Sequence, residues 1–505
     1  MAQQKFSFLS PRSVDRSPVA MGATLIICLA LSLGETCLTL FNPIFGLSSA
    51  VAINLVVLLF VQSELALPFY ILVAAPTVVL SASGSGILSR LYIGDLLFGL
   101  IVGIWLLREM PAKRKTGSVM REKRILVPLL CLALIGFLSI IYSRLFPDPH
   151  VTYAFVHSNV SLTLVNVVEM WLLISLLLWL IIVPDMVRTL RDAQWMIGAF
   201  LLVGLPYALG TIFAGPLHLL SQDVILGIQR PVVFGTGSSG LGLFNVLFAC
   251  LALGQMLYAK KGSTRLGLGL LTCIYGGGVV MSFGRESWIG LILAVWVIFC
   301  LRFKSLPAFL FPLITLSFLL LLFPGITNFF NPTKVYGADR INIWQDAIAI
   351  WQHSPYMGVG AGNFQFFDLA YGTDIVGVAH NQFLSVLAEM GVQGLVCLLV
   401  VIIMIGRTAL KRYNTAISDT GKAVALAYLG YFAALLSATF FTDSFVFSTA
   451  AGGGTESFVG SSYVWLLLGL VLSIPNWDRE AAALDLPVIS EYAGLSMNQQ
   501  KGLIQ

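Results

Sequence analysis

Apolar residues in this chain run in blocks of about twenty, the length a helix needs to cross a bilayer, separated by short clusters of charged, Gly or Pro residues. About fourteen such blocks are centred near residues 30, 53, 74, 98, 136, 173, 205, 249, 275, 294, 315, 395, 432 and 468. The pattern predicts an all-α, polytopic integral membrane protein with about 12–14 transmembrane helices over residues 1–475. A polar, cytoplasmic tail is expected over 476–505. The basic N-terminus (Lys5, Arg12, Arg16) precedes an apolar run with no convincing small-residue cleavage site, so that run reads as a span rather than a signal peptide.

Most connections are short. The exception is the stretch over residues 327–380, between the blocks near 315 and 395. Long loops without a fold of their own are uncommon and often functional. Inside this one, RINIWQDAIAIWQHS repeats Ile341, Trp344, Ile348 and Trp351 at helical spacing, which predicts an amphipathic helix over 340–354, ended by Pro355. Its two tryptophans suit the headgroup layer, so the helix is expected to lie along the membrane surface. Gly358, Gly360 and Gly362 follow in YMGVGAGNF. They lack the preceding strand and following acid of a dinucleotide fingerprint, which leaves a flexible turn or a backbone-amide cradle for phosphate.

Composition agrees with a membrane protein: 58% of residues are hydrophobic, 10% are charged, and mean hydropathy is +0.90. A soluble chain is about 25% charged. The seven cysteines fall inside apolar blocks with no metal-ligand spacing, which argues for core packing rather than disulfides. Charge sets the orientation. With the N-terminus inside, all but six of the 29 Lys and Arg fall in inner segments; Arg90, Arg144, Arg230, Arg285, Lys334 and Arg340 remain outside. The basic run over 108–124 is then a cytoplasmic loop beside anionic lipid, not a nucleic-acid site.

Candidate chemistry lies on the outer side. Arginine in so apolar a setting either snorkels to headgroups or recognises phosphate through its planar fork. Arg230 precedes PVVFGTGSSG, Arg285 lies in the tight turn SFGRESW, and Arg340 opens the amphipathic helix. All five histidines (His150, His157, His218, His353, His380) map outside, without the spacing of a zinc site. His380 differs from the rest in standing at the mouth of a helix, in HNQFLSVLAEMGVQG, where a group titrating near neutrality is a candidate base. Glu389 is about half a turn out of phase with it, which makes a structural role the better reading. Asp443 could reach the outer cleft and orient His380. Asp95 and Glu169 fall within spans, where charge is expensive and usually functional. No D-x-D pair occurs, so the metal site of a nucleotide-sugar glycosyltransferase is absent from the sequence.

These residues resemble a known family. H-N-x(9)-G-x-x-G, met by His380, Asn381, Gly391 and Gly394, is similar to the hallmark of the bacterial O-antigen ligase and O-antigen polymerase superfamily. Arg340, Trp344, Pro355, Gly358, Gly360 and Gly362 match its R-x-x-x-W … P-x-x-G-x-G-x-G stretch. Arg285 with Ile289 resembles its R-x-x-x-L element, and Arg230 meets its R-x-x-x-G element only loosely, the glycine falling one residue late at 235. The resemblance covers about residues 220–445.

It implies a GT-C-like helical fold and a metal-independent, inverting glycosyltransferase without a cofactor, in the bacterial inner membrane; the charge distribution is what puts both termini on the cytoplasmic side. The donor would be an undecaprenyl-diphosphate-linked glycan and the acceptor a glycan or lipid-linked sugar, with other polysaccharide-assembly membrane proteins as further partners. His380 would be the general base, Arg285, Arg230 and Arg340 the diphosphate clamp, and Asn381 and Asp443 supporting groups. The long loop would close over the reacting sugar. Ligase and polymerase need the same machinery, with a slight lean to polymerase. A transporter or flippase of lipid-linked sugars, built around Asp95 and Glu169, is the alternative from another class. A peptidoglycan-type polymerase lacks the His-Asn helix entry and ranks last.

Overall fold

The computed structural model describes residues 55–76, 93–109, 123–151, 161–225, 228–234, 236–305, 307, 309–310, 337–372, 378–442 and 456–485. The chain divides into residues 1–66 and 67–505, and the described part of the first, 55–66, is mostly helical. The second carries the long helices, together with Arg230, Arg285, Arg340 and His380.

From Ala66 onward the described helices are α1 (Ala66–Val73), α2 (Ile93–Ile104), α3 (Lys123–Leu145), α4 (Leu162–Met186), α5 (Leu190–Ile212), α6 (Ser238–Tyr258), α7 (Gly262–Met281), α8 (Arg285–Phe303), α9 (Gly337–His353), α10 (Phe364–Tyr371), α11 (Gln382–Thr415), α12 (Asp419–Ala438) and α13 (Glu456–Asp485). Among the described residues, eight helices (α3 to α8, α11 and α12) are long and apolar enough to span a membrane, or nine if the bent pair Leu55–Val61 and Ser63–Val73 is one span. The chain is therefore a multi-pass helical membrane protein. The blocks near 30 and 315 lie outside the described residues. The all-α expectation has one small exception, an antiparallel hairpin of β1 (Leu220–Ile225) and β2 (Ile228–Pro231), with Val224 opposite Gln229.

Local signals start and stop these helices. Ser161 caps α4 through Leu164 N–H, and Thr189 forms a capping box with Asp192 at the start of α5. The last helix runs through Pro475 to Asp485, past the start of the expected tail. Side-chain bonds and burial hold it there: Asn476 Nδ2 donates to Pro184 O at 2.8 Å, and Trp477 is buried. The carboxylate of Asp478 accepts Ile417 and Ser418 N–H.

The spans of α12 and α6 are each 78% buried. Helix α12 packs along both α6 and α8. Small residues allow the approach: a Cβ on Gly254 of α6 would fall closer than 3.0 Å to Ala423 O, and one on Gly290 of α8 would meet Ala434 Cβ at 3.1 Å. The first contact lies toward the start of α12 and the second toward its end. The starts of α6 and α8 and the end of α12 therefore share one end of the bundle, while Lys260 and Asp419 pair at 2.9 Å at the other.

Candidate functional site

At this shared end, α6 and α8 begin side by side. A Cβ on Gly242 would fall closer than 3.0 Å to Ser287 and Ser282, so the two helices touch within a turn of their starts. Neither start has a side-chain cap: the N-cap residues are Gly237 and Gly284. Uncapped helix starts expose N–H groups and the positive end of the helix dipole, a ready anion site. Arg230 Nη1 donates to Ser238 Oγ at 3.3 Å, which brings it to the first residue of α6. Arg285 is the first residue of α8, presented by a turn in which Phe283 takes φ +53° and Ser282 Oγ accepts Gly284 N–H. The structure thus brings Arg230 and Arg285 to the same pair of helix starts.

His380 and Arg340 form a second pair. Asn381 caps α11, its side-chain oxygen accepting Phe383 and Leu384 N–H, and Gln382 N–H donates to Thr439 O at 3.0 Å. These bonds tie the entrance of α11 to the end of α12. Between them, His380 is held at φ +48°, a left-handed conformation costing a non-Gly residue about 1–2 kcal/mol. Strain of this kind persists where surrounding structure over-determines it, and it clusters at functional sites. Arg340 Nη1 donates to Phe441 O at 2.9 Å, just past the end of α12. Burial, and secondarily the charge of Arg340, hold the imidazole of His380 below its usual pKa.

The two pairs share the same end of α12. Ala434, which faces α8 one turn after Arg285, and Thr439, which binds the entrance of α11, are five residues and roughly 7.5 Å apart along the axis. Asp443, His157 and Arg90 lie outside the described residues. Among the described residues, no group of three or more His, Cys, Asp or Glu is placed to hold a metal ion.

The motif glycines have a different task from the one considered for them. Helix α11 is broken at Gly391, with φ +68° and ψ −171°. The segment over 355–362 lies in the break: Val359 N–H donates to Ala388 O, Gly360 N–H to Glu389 O, and Val392 N–H to Pro355 O, at 2.9–3.1 Å. A Cβ on Gly391 would fall closer than 3.0 Å to Tyr356 O, and one on Gly358 would do the same to Glu389 O. Ala361 N–H is taken by Ser139 Oγ. With these amides donating to protein oxygens, the segment is neither a free turn nor a phosphate cradle; it locks the loop before α11 to the helix that His380 precedes. Glu389 has the structural role its phase suggested, its Oε1 accepting Phe364 N–H at the start of α10.

The amphipathic helix α9 ends at His353, just before Pro355. It has two apolar faces rather than one. Ile341 and Ile348 are exposed, as a surface helix requires, whereas Ile343, Ala347 and Ile350 are buried. Ala347 and Ile350 pack with Val151, Val165, Phe364 and Phe367. Its far end is pinned by a cluster that sequence reasoning missed. His353 Nε2 lies 2.7 Å from Asp148 Oδ2, and Tyr371 O–H donates to the same oxygen at 2.5 Å. Burial pushes Asp148 up, but the bonds from Tyr371 and His150 N–H and the charge of His353 outweigh it and hold the carboxyl below its ordinary value. Residues so far apart in sequence carry no local signal of this pairing. A further buried network, in which Asn166 Nδ2 donates to Asn363 Oδ1 and Asn363 Nδ2 to Ser143 Oγ, joins α3, α4 and the loop.

Residues 268–399 match a protein-family model described as O-Antigen ligase. That range contains Arg285, Arg340, His380, Asn381, Gly391 and Gly394, and stops short of Arg230. Among curated proteins, none matches the chain.

Proposed function

We propose that this multi-pass membrane enzyme, which carries an O-antigen ligase family domain over residues 268–399, transfers a glycan from undecaprenyl diphosphate to an acceptor sugar hydroxyl. The transfer takes place on the outer face of the bacterial inner membrane, with both chain termini on the cytoplasmic side. One observation carries the reading: His380 with Arg340, and two arginines at a pair of uncapped helix starts, gather at one end of α12.

In this reading the diphosphate lies across the starts of α6 and α8, held by Arg230, Arg285 and the positive ends of the two helix dipoles, with Arg340 as a third contact. His380 accepts the proton of the acceptor hydroxyl as that oxygen attacks the anomeric carbon. The bond from that carbon to the diphosphate oxygen breaks, and its electron pair leaves with undecaprenyl diphosphate. Attack opposite the leaving group inverts the anomeric centre. The arginines and helix starts stabilise the charge growing on the leaving diphosphate, the electrostatic contribution that usually dominates such transfers. The loop locked into α11 covers the reacting sugar and keeps water from the donor.

The test uses purified protein and a labelled undecaprenyl-diphosphate oligosaccharide, read by product size with and without a second acceptor. A ladder from donor alone means polymerase; a single shift that requires the acceptor means ligase. No covalent product from any of several donors refutes the transferase reading and favours transport. His380→Ala is expected to abolish transfer in a folded protein, and wild-type turnover by that variant refutes the general-base role.

A further inference from the structure

Next to Arg285 lies an acid that the proposed transfer does not use. Glu286 is 8% exposed, and among the described residues its Oε1 has no hydrogen-bond partner. A Cβ on Gly284 would lie 3.3 Å from that Oε1, 3.2 Å from Ser287 Oγ and 3.3 Å from Ser238 O, so the carboxylate oxygen points into the junction where α6 and α8 begin. A carboxylate in the first turn of a helix is favoured by the dipole, which accounts for an acid there but not for its burial with an unmet acceptor. Leaving a buried polar group unpaired is costly, and such groups in native proteins call for an explanation. A diphosphate cannot supply the missing donor, because its oxygens only accept and carry like charge. The sugar joined to that diphosphate can, since its hydroxyls are donors held within a bond or two of the phosphate.

Resting on the donor reading above, we propose that Glu286 is a specificity-determining residue that accepts hydrogen bonds from hydroxyls of the first sugar on the lipid diphosphate. The arginines and helix starts recognise the part common to all such donors. Glu286 reads the part that differs, by the placement of hydroxyls around the ring. A charged acceptor paired with a neutral hydroxyl in a dry site is also a sharp filter, because a sugar without that hydroxyl leaves the carboxylate unpaired.

The experiment measures binding of purified wild-type protein and Glu286→Gln to undecaprenyl diphosphate, and to the same lipid carrying a single glucose, galactose or N-acetylglucosamine. Wild type is expected to bind at least one glycosylated lipid more tightly than the bare diphosphate. Glu286→Gln should lose roughly 10- to 100-fold for that lipid while binding the bare diphosphate as wild type does. Equal losses for both lipids would make Glu286 a support for the clamp and overturn the inference. So would no loss for either, or a wild type that gains nothing from any sugar. Wild-type protein that binds neither lipid refutes the donor reading itself, and the inference with it. A thermal melt of each variant separates these outcomes from misfolding, and Glu286→Ala repeats the comparison with the acceptor removed altogether.

Discussion

Replacing Gly391 by alanine tests whether the segment over 355–362 is locked to α11 as described. The added methyl would fall closer than 3.0 Å to Tyr356 O and C, a separation that Cβ atoms essentially never show, and the backbone at φ +68°, ψ −171° is a conformation nearly confined to glycine. Two escapes exist. Either α11 rotates Gly391 toward helical angles, or the segment over 355–362 withdraws from the break. Both give up the bonds from Val359 to Ala388, Gly360 to Glu389 and Val392 to Pro355. At about 1 kcal/mol each that is about 3 kcal/mol, and any retained backbone strain adds about 1–3 kcal/mol. Against a typical total stability of about 5–15 kcal/mol, the loss is large.

The assay is the rate of thermal inactivation in detergent or nanodiscs, since a membrane protein of this size is best judged by a rate, alongside limited proteolysis of the loop. Gly276→Ala, where a Cβ meets nothing within 4 Å inside helix α7, is the control and should stabilise by about 0.5–1 kcal/mol through helix propensity. Gly391→Ala should inactivate much faster, expose the loop to protease and lose transfer. Wild-type inactivation and wild-type protection together would refute the docking.

Other perturbations check the remaining contacts. His380→Gly and His380→Ala should both be inactive, with the glycine variant about 1 kcal/mol more stable in thermal melts because it relieves the left-handed backbone. The transfer rate should rise with pH as His380 loses its proton, and because burial and Arg340 lower its pKa, that limb should fall below pH 6.5. Arg340→Gln removes one of those causes, so it should move the midpoint of a pH–rate profile to higher pH; an unmoved midpoint counts against the pairing. Arg285→Lys keeps the charge but loses the planar fork, and should lose at least tenfold in kcat/KM for the lipid donor. Asp148→Asn should destabilise by about 1–3 kcal/mol at neutral pH. Since the pKa of Asp148 is lowered on folding, that difference holds above its ordinary value of 3.8 and closes as pH falls below it, which melts at several pH values would reveal.

Membrane class, the positions of the eight long spans, the amphipathic helix ended by Pro355, and the His-Asn helix entrance were all legible in the linear order of residues. Each depends on neighbours in sequence: hydropathy summed over about twenty residues, a helical period, or a cap reaching two or three residues ahead. The structure alone decided how these pieces meet. Glycines that read as a loose turn or a phosphate cradle proved to fit a break in a helix that begins some twenty residues later, because a Cβ at either partner would strike the other's backbone. His353 found Asp148, and Glu286 was buried at the junction of two helix starts, both through packing between segments distant in the chain. Such pairings leave no period and no fixed spacing in the sequence, since they depend on where folded helices end in space rather than on the order in which residues were joined.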